Sequence, residues 1–225
     1  MPRIRSITTI AELSAGMMAA FNAINEHYYN SELEKPVITF KEGKKKKAYG
    51  WIETRKQWVQ GKNERYDINI SVDYLGNRSV DETISTLMHE MAHLYNLQNG
   101  IKDTTRAGLY HNKKFKEEAE KHMIKIDHSD KYGWTITSPT DELLEYIMDK
   151  GWEDIDMGRG CLFGLLGGGS DGKPAKGTQT GADGQELPKK GNSRRYQCPQ
   201  CKAIVRATKD LHIICGTCNV DFELS

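Results

Sequence analysis

The chain has 225 residues and a mass of 25.5 kDa, room for one principal domain and a satellite module but little more. Lysine and arginine number 32 against 31 acidic residues, so bulk charge supplies no affinity for nucleic acid or membrane, and any such affinity must come from local patches. With 37% hydrophobic residues and a mean hydropathy of -0.67, a folded part is expected to be diluted by a polar or flexible one.

No apolar stretch approaches the ~18 residues of a spanning helix, and the opening MPRIRSITTI lacks the apolar run of a signal peptide; the expectation is a cytoplasmic protein with no membrane partner. In a reducing compartment its five cysteines should not pair as disulfides. Four of them form two CxxC pairs, which points to metal.

In chain order, Ile10, Leu13, Met17, Phe21, Ile24 and Tyr28 step by three or four, predicting an amphipathic helix from Thr9 to about Asn30. Between Pro36 and Val72 the runs PVITF, AYGWIE and YDINISV read as strands of a small antiparallel sheet, with Lys44 to Lys47 at a hairpin tip. Ser79, three residues before Glu82, is a capping box opening a helix to about Gln98. Asn112 to Ile126 reads as helix and Tyr132 to Thr137 as extended. Ser138-Pro139-Thr140-Asp141 starts a last helix reaching Lys150. His27 and His122 are expected on helix surfaces and Cys161 in an apolar setting. These boundaries give a principal domain over residues 1–157, a glycine-rich flexible linker over 158–193 and a small module over 194–225.

The string His89-Glu90-Met91-Ala92-His93 places two imidazoles one helical turn apart on one face, where both reach a single ion, as in the zincins. Random order would produce HExxH in this composition with a probability of about 0.02. On the helical wheel Ile84, Leu87, Met88, Met91, Leu94 and Tyr95 cluster on one side and the two histidines fall opposite, as for a helix facing a cleft. A catalytic zinc keeps three protein ligands and one open position. Asn96 and Asn99 exclude the metzincin continuation, which leaves Glu117, Glu118 and His111 for the third ligand; the scarcity of histidine favours His111.

Cys198, Cys201, Cys215 and Cys218 follow the pattern C-x2-C-x13-C-x2-C, two knuckles able to set four thiolates around a structural zinc. That zinc would supply the folding energy so short a segment lacks. Lys189, Lys190, Arg194, Arg195 and Arg206 crowd this end as candidate phosphate contacts, with Tyr196 as a candidate base-stacking ring.

Together these features resemble the SprT-like metalloproteases, the family that includes the DNA-dependent protease Spartan. The resemblance rests on the leading helix, the strand-rich stretch, the capped helix with HEMAH, a downstream His111 followed by Phe115, and the Tyr196-x-Cys198-x-x-Cys201 … Cys215-Gly216-x-Cys218 ribbon. It implies an α+β zincin-like core with a C-terminal zinc ribbon, one catalytic and one structural zinc, His89, His93 and His111 as ligands, and Glu90 as the catalytic carboxylate. It also implies protein substrates bound or crosslinked to DNA and, in a bacterial or phage setting, a nucleoid-associated location. Tyr110 and Asn112 flank His111 where the family tends to place glycine, so the turn there is expected to differ. Tyr95, Tyr110 and His128 are nominees for stabilising the oxyanion. Two other readings fit the same residues: an HExxH peptidase that cleaves a specific regulator without DNA, and a non-catalytic zinc-ribbon nucleic-acid adaptor.

Overall fold

The computed structural model describes residues 4–42, 48–155, 157, 194–207 and 209–224 of a chain that divides into two units, 1–186 and 187–225. The expected linker 158–193, Cys161, Lys44 to Lys47, Lys189 and Lys190 lie outside the described residues.

In the first unit, helix α1 (Ile10–Tyr28) opens on a capping box: the Thr9 amide donates to Glu12 Oε2 at 3.0 Å, and the Glu12 amide donates to Thr9 Oγ1 at 3.2 Å. Its buried face includes Leu13, Met17, Phe21 and Ile24 of the expected stripe, whereas Ile10 at the helix start is exposed and Tyr28 is half-buried. Strands β1 (Val37–Lys41), β2 (Gly50–Ile52) and β5 (Asp67–Ser71) form a sheet in the order β1-β5-β2. The sheet is mixed, not antiparallel as expected: β5 runs parallel to β1 and antiparallel to β2. Alternation identifies strands but carries no direction. Here β2 and a separate hairpin, β3 (Trp58–Gln60) with β4 (Asn63–Arg65), intervene before β5, which enters the sheet centre alongside β1.

All five residues of β5 are buried. Ile68 and Ile70 join the apolar core, while Asp67 and Asn69 alternate with them and are satisfied locally. Thr39 Oγ1 lies 3.0 Å from Asp67 Oδ1 and 2.7 Å from Asn69 Oδ1, and Lys41 Nζ is 2.7 Å from Asp67 Oδ2.

Helix α2 (Val80–Gln98) is the central element, in contact with α1, both sheets and the two later helices. Only Glu82, Tyr95, Leu97 and Gln98 escape full burial, so the wheel's polar side is covered as well as its apolar side. The Ser79 amide donates to Glu82 Oε2 at 3.1 Å, and the Val80 amide donates to Asp154 Oδ1 at 2.7 Å, satisfying donors that a helix start leaves open.

The second sheet orders β6 (Thr104–Thr105), β7 (Tyr110–His111), β9 (Gly133–Pro139) and β8 (Ile124–Ser129) as β6-β7-β9-β8. Helix α3 spans only Lys113–Glu120, and the helix expected through Ile126 gives way to β8. Met123 turns the chain at a φ of 64°; beyond it Ile124 and Ile126 are buried while Lys125 and Asp127 are exposed, a period of two. Gly133 has a φ of +77°, and a Cβ there would sit 2.1 Å from the His111 carbonyl oxygen, so only glycine lets β9 pass so close to β7. Helix α4 (Asp141–Lys150), capped by Thr140, completes the unit. Among the described residues no helix is long and apolar enough to cross a membrane.

His122 is not the surface residue the sequence suggests. It is buried just past α3, stacked on Tyr29 with ring centroids 3.8 Å apart, and its Nε2 lies 2.8 Å from Glu118 Oε1. Lys121 Nζ donates to the other oxygen of Glu118 at 2.9 Å.

In the second unit, β10 (Arg194–Gln197) is paired antiparallel with β11 (Ile204–Ala207) on one side and β12 (Glu223–Leu224) on the other.

Burial raises the Glu118 pKa, but the hydrogen bonds from His122 and Lys121 outweigh it and hold the carboxyl below its ordinary value. A carboxyl whose pKa is lower folded than unfolded adds stability above its unfolded pKa and loses it as the pH falls through the folded value. Glu118→Gln is expected to destabilise the protein at pH 7 by about 1.5–3 kcal/mol, with the gap to wild type closing below pH ~4. Thermal melts at pH 7 and pH 3 check this, and an equal gap at both contradicts it.

Candidate metal centre

Three imidazoles meet at the centre of the first unit. His89 and His93 come from successive turns of α2, and His111 arrives on β7 from the facing sheet. His111 Nε2 lies 3.0 Å from His93 Nε2 and 3.3 Å from His89 Nε2, and one ring nitrogen from each residue falls within 4.8 Å of the other two. Zinc–nitrogen bonds of ~2.0–2.1 Å at tetrahedral angles separate ligand nitrogens by ~3.3–3.4 Å, so the donor set is spaced for such an ion. Phe115, fully buried, backs all three rings with centroid distances of 4.4, 4.3 and 4.8 Å to His89, His93 and His111.

The electrostatics also suit a cation. Burial, reinforced by the neighbouring imidazoles, pushes the His89 pKa well below its ordinary value. His111 is lowered to about 3 by burial and by His93, against the opposing pull of Asp103 and the Tyr132 carbonyl. Both rings are therefore neutral at pH 7, the state in which imidazole can ligate.

Neither glutamate weighed as third ligand belongs to the cluster: Glu117 is exposed and Glu118 is engaged by His122 and Lys121. Glu90, between the two α2 histidines in sequence, is buried and lines the same cleft of about 500 Å³ as all three imidazoles. One wall of that cleft is β2 and the residues after it, Gly50 to Thr54; the other is Asp103 with the β6–β7 turn, including Ala107, Gly108 and Leu109. A Cβ on Gly50 would meet Thr86 Cγ2 at 2.8 Å and Glu90 Cγ at 3.4 Å, so glycine sets how closely β2 approaches α2 beside the carboxylate.

Several partners of the cluster escape sequence reasoning. Asp103 Oδ2 is 2.7 Å from His93 Nδ1 and accepts from Asn96 Nδ2 at 3.0 Å; Thr137 Oγ1 on β9 is 2.8 Å from His89 Nδ1. An acidic residue ten positions past His93 in a polar loop carries no local signal, and a threonine in a strand reads as ordinary strand composition. Tyr95, Tyr110 and His128, nominated for the oxyanion, do not line the cleft. Tyr110 instead reaches His128, its hydroxyl 3.4 Å from Nε2.

In the second unit, Sγ atoms of Cys198, Cys201, Cys215 and Cys218 lie within 4.8 Å of one another, with Cys201 and Cys215 3.6 Å apart. Zinc–sulfur bonds of ~2.3 Å put tetrahedral thiolates ~3.8 Å apart, so this set also fits a closed structural site. The two knuckles share one geometry. The Lys202 amide donates to the Cys198 carbonyl at 3.0 Å and the Asn219 amide to the Cys215 carbonyl at 2.7 Å, with Lys202 and Asn219 at φ 62° and 53°.

Burial raises the Cys198 thiol, but amides of Cys201 and Gln200 and the thiols of Cys201 and Cys215 outweigh it and bring it to about 7. Cys218 is pushed up to about 12, first by its contact with the Cys201 thiol and then by burial. Of the basic candidates, Arg194 pairs with Asp210 at 2.6 Å and Arg195 is half-buried, with Arg206 opposite it in the β10–β11 ladder. Tyr196 offers no open ring face for a base: it is 7% exposed, and its hydroxyl accepts from the Leu211 amide at 3.2 Å.

Residues 17–132, more than half of the chain, match the SprT-like family model, and the chain belongs to the SprT-like family. The matched span contains α2, the three imidazoles and Glu90. Searches of curated proteins and of solved structures returned no match.

Two metal ions per chain are expected by elemental analysis, one lost on His89→Ala and the other on Cys198→Ser. A single ion untouched by His89→Ala contradicts the assignment of the histidine cluster.

Proposed function

We propose that the chain is a zinc-dependent endopeptidase in which His89, His93 and His111 hold the catalytic ion and Glu90 is the general base, on a zincin-like core. The observation that carries this reading is the convergence of three imidazoles and one carboxylate in a single open cleft. When bound, the zinc polarises the scissile carbonyl and lowers the pKa of water toward ~7. Glu90 takes the proton from the attacking water and delivers it to the leaving amine, moving between two positions in the same cleft.

The cleft wall at β2 suits a peptide. In its sheet β2 pairs only with β5 among the described residues, so its other edge is open to an extended chain added as a further strand. Phe115 and the burial of α2 exclude water from the far side of the imidazoles, which strengthens electrostatics within the site.

The four-cysteine module holds the structural zinc. The substrate class proposed is protein bound or crosslinked to DNA, which the family resemblance supports and for which the module serves as the DNA contact through Arg194, Arg195 and Arg206, together with Lys189 and Lys190.

The full, zinc-loaded chain is tested against casein and against a basic DNA-bound protein, with and without DNA. Glu90→Gln is expected to retain two zinc ions and lose cleavage by about 10²–10⁴-fold; cleavage at the wild-type rate by that variant removes Glu90 as the base. DNA is expected to accelerate cleavage of the DNA-bound substrate, with an advantage that fades as salt rises. Equal rates with and without DNA favour the regulator-specific peptidase instead.

A further inference from the structure

Each α2 imidazole has its outer nitrogen engaged by a group from outside the helix, and the direction of the two hydrogen bonds can be worked out. Thr137 Oγ1 donates to the Thr135 carbonyl at 3.2 Å. With the Thr135 carbonyl as the acceptor for its one hydrogen, the Thr137 hydroxyl is left to accept from His89 Nδ1, 2.8 Å away. Asp103 reaches the same result by charge: its carboxylate carries no proton, accepts from Asn96 Nδ2 at 3.0 Å and faces His93 Nδ1 at 2.7 Å with the same oxygen. In this arrangement both rings carry hydrogen on Nδ1, which leaves both Nε2 lone pairs aimed at the shared centre where His111 Nε2 also lies.

The supports are themselves fixed. The Asn112 amide donates to the Asp103 carbonyl at 2.9 Å, the Ile101 amide to the Asn96 carbonyl at 2.8 Å, and Thr104 pairs with His111 in the β6–β7 ladder. Asp103 and His111 thus arrive on one two-stranded ribbon, while Thr137 comes from β9.

We infer that Asp103 and Thr137 are positioning residues that lock His93 and His89 in the Nδ1–H tautomer, so that the protein presents a preformed ligand set before any metal arrives. The inference rests on the reading of His89 and His93 as ligands and extends it to the residues that hold their outer nitrogens. The arrangement is unequal: an anion holds His93 and a neutral hydroxyl holds His89. Asp103→Asn keeps the shape but removes the charge, and an amide donor turned toward His93 would demand the opposite tautomer. Thr137→Val keeps the shape and removes the acceptor, whereas Thr137→Ser restores it.

The test has two arms on the full chain. In the metal-free protein, long-range proton–nitrogen correlation spectra of the imidazoles are expected to show Nδ1–H on both His89 and His93; Nε2–H on either overturns the inference for that residue. With the four-cysteine site saturated, zinc affinity of the histidine site is then measured by chelator competition. Asp103→Asn and Thr137→Val are each expected to weaken it about 10- to 100-fold, with Thr137→Ser close to wild type. Unchanged affinity in both variants, or a Thr137→Ser as weak as Thr137→Val, overturns the inference. Its failure is distinct from that of the peptidase reading: a chain that shows these tautomers and binds zinc but cleaves nothing defeats the peptidase reading alone, and reversed tautomers in an active enzyme defeat this inference alone.

Discussion

The structure turns on a conflict within α2: the helix is buried on nearly every side, yet it carries two imidazoles, a carboxylate and several hydroxyls and amides. A buried polar group without a partner costs about 1–3 kcal/mol, more if charged, so a helix of this composition survives at the centre only where most of those groups are met. The neighbours of α2 can be read as answers to that demand. Asp154 meets the helix start, Thr137 and Asp103 meet the imidazoles, and Arg78 meets Thr86 Oγ1 at 2.8 Å and the Glu82 carbonyl at 2.9 Å. The second sheet supplies Thr137 in addition to His111, and Asp103 stands directly before its strand β6.

The division of labour between the two candidate centres follows from their surroundings. The histidine set is built from two elements, α2 and β7, with an apolar floor at Phe115, and one side is open to the cleft, the condition for a site that exchanges substrate. The cysteine set is built from two copies of one local turn within 21 residues, Cys198 to Cys218, and has four donors with no open position. Its stability depends on sequence-local geometry; that of the histidine set depends on the whole first unit folding correctly.

Much of this was legible in the sequence, for reasons that can be named. Both long helices and the Ser79–Glu82 capping box were readable because capping and three-to-four spacing are local, and HExxH and the paired CxxC are local for the same reason. His111 was favoured by rarity and by resemblance, and its approach to the α2 rings needed the fold. What was not legible was long-range or directional. The parallel pairing of β1 with β5 leaves no trace in alternation, and the change from helix to strand at Met123 hinged on one left-handed residue amid an apolar pattern that suits either period. Asp103, Thr137 and the burial of His122 depend on neighbours distant in sequence. Tyr196 was misread because an aromatic beside arginines suggests stacking, while its row in the sheet turns the ring inward.

The β6–β7 ribbon has one further implication. Its ladder pins Thr104 to His111 and Thr105 to Tyr110, so the segment between them hangs from a fixed base and its length is uncoupled from the position of the third imidazole. Lengthening a loop is entropically mild, about 0.6 kcal/mol for each doubling. Descendants of this chain could therefore exchange or extend the 106–109 tip, widening or narrowing the mouth of the groove, while inheriting the coordination geometry unchanged.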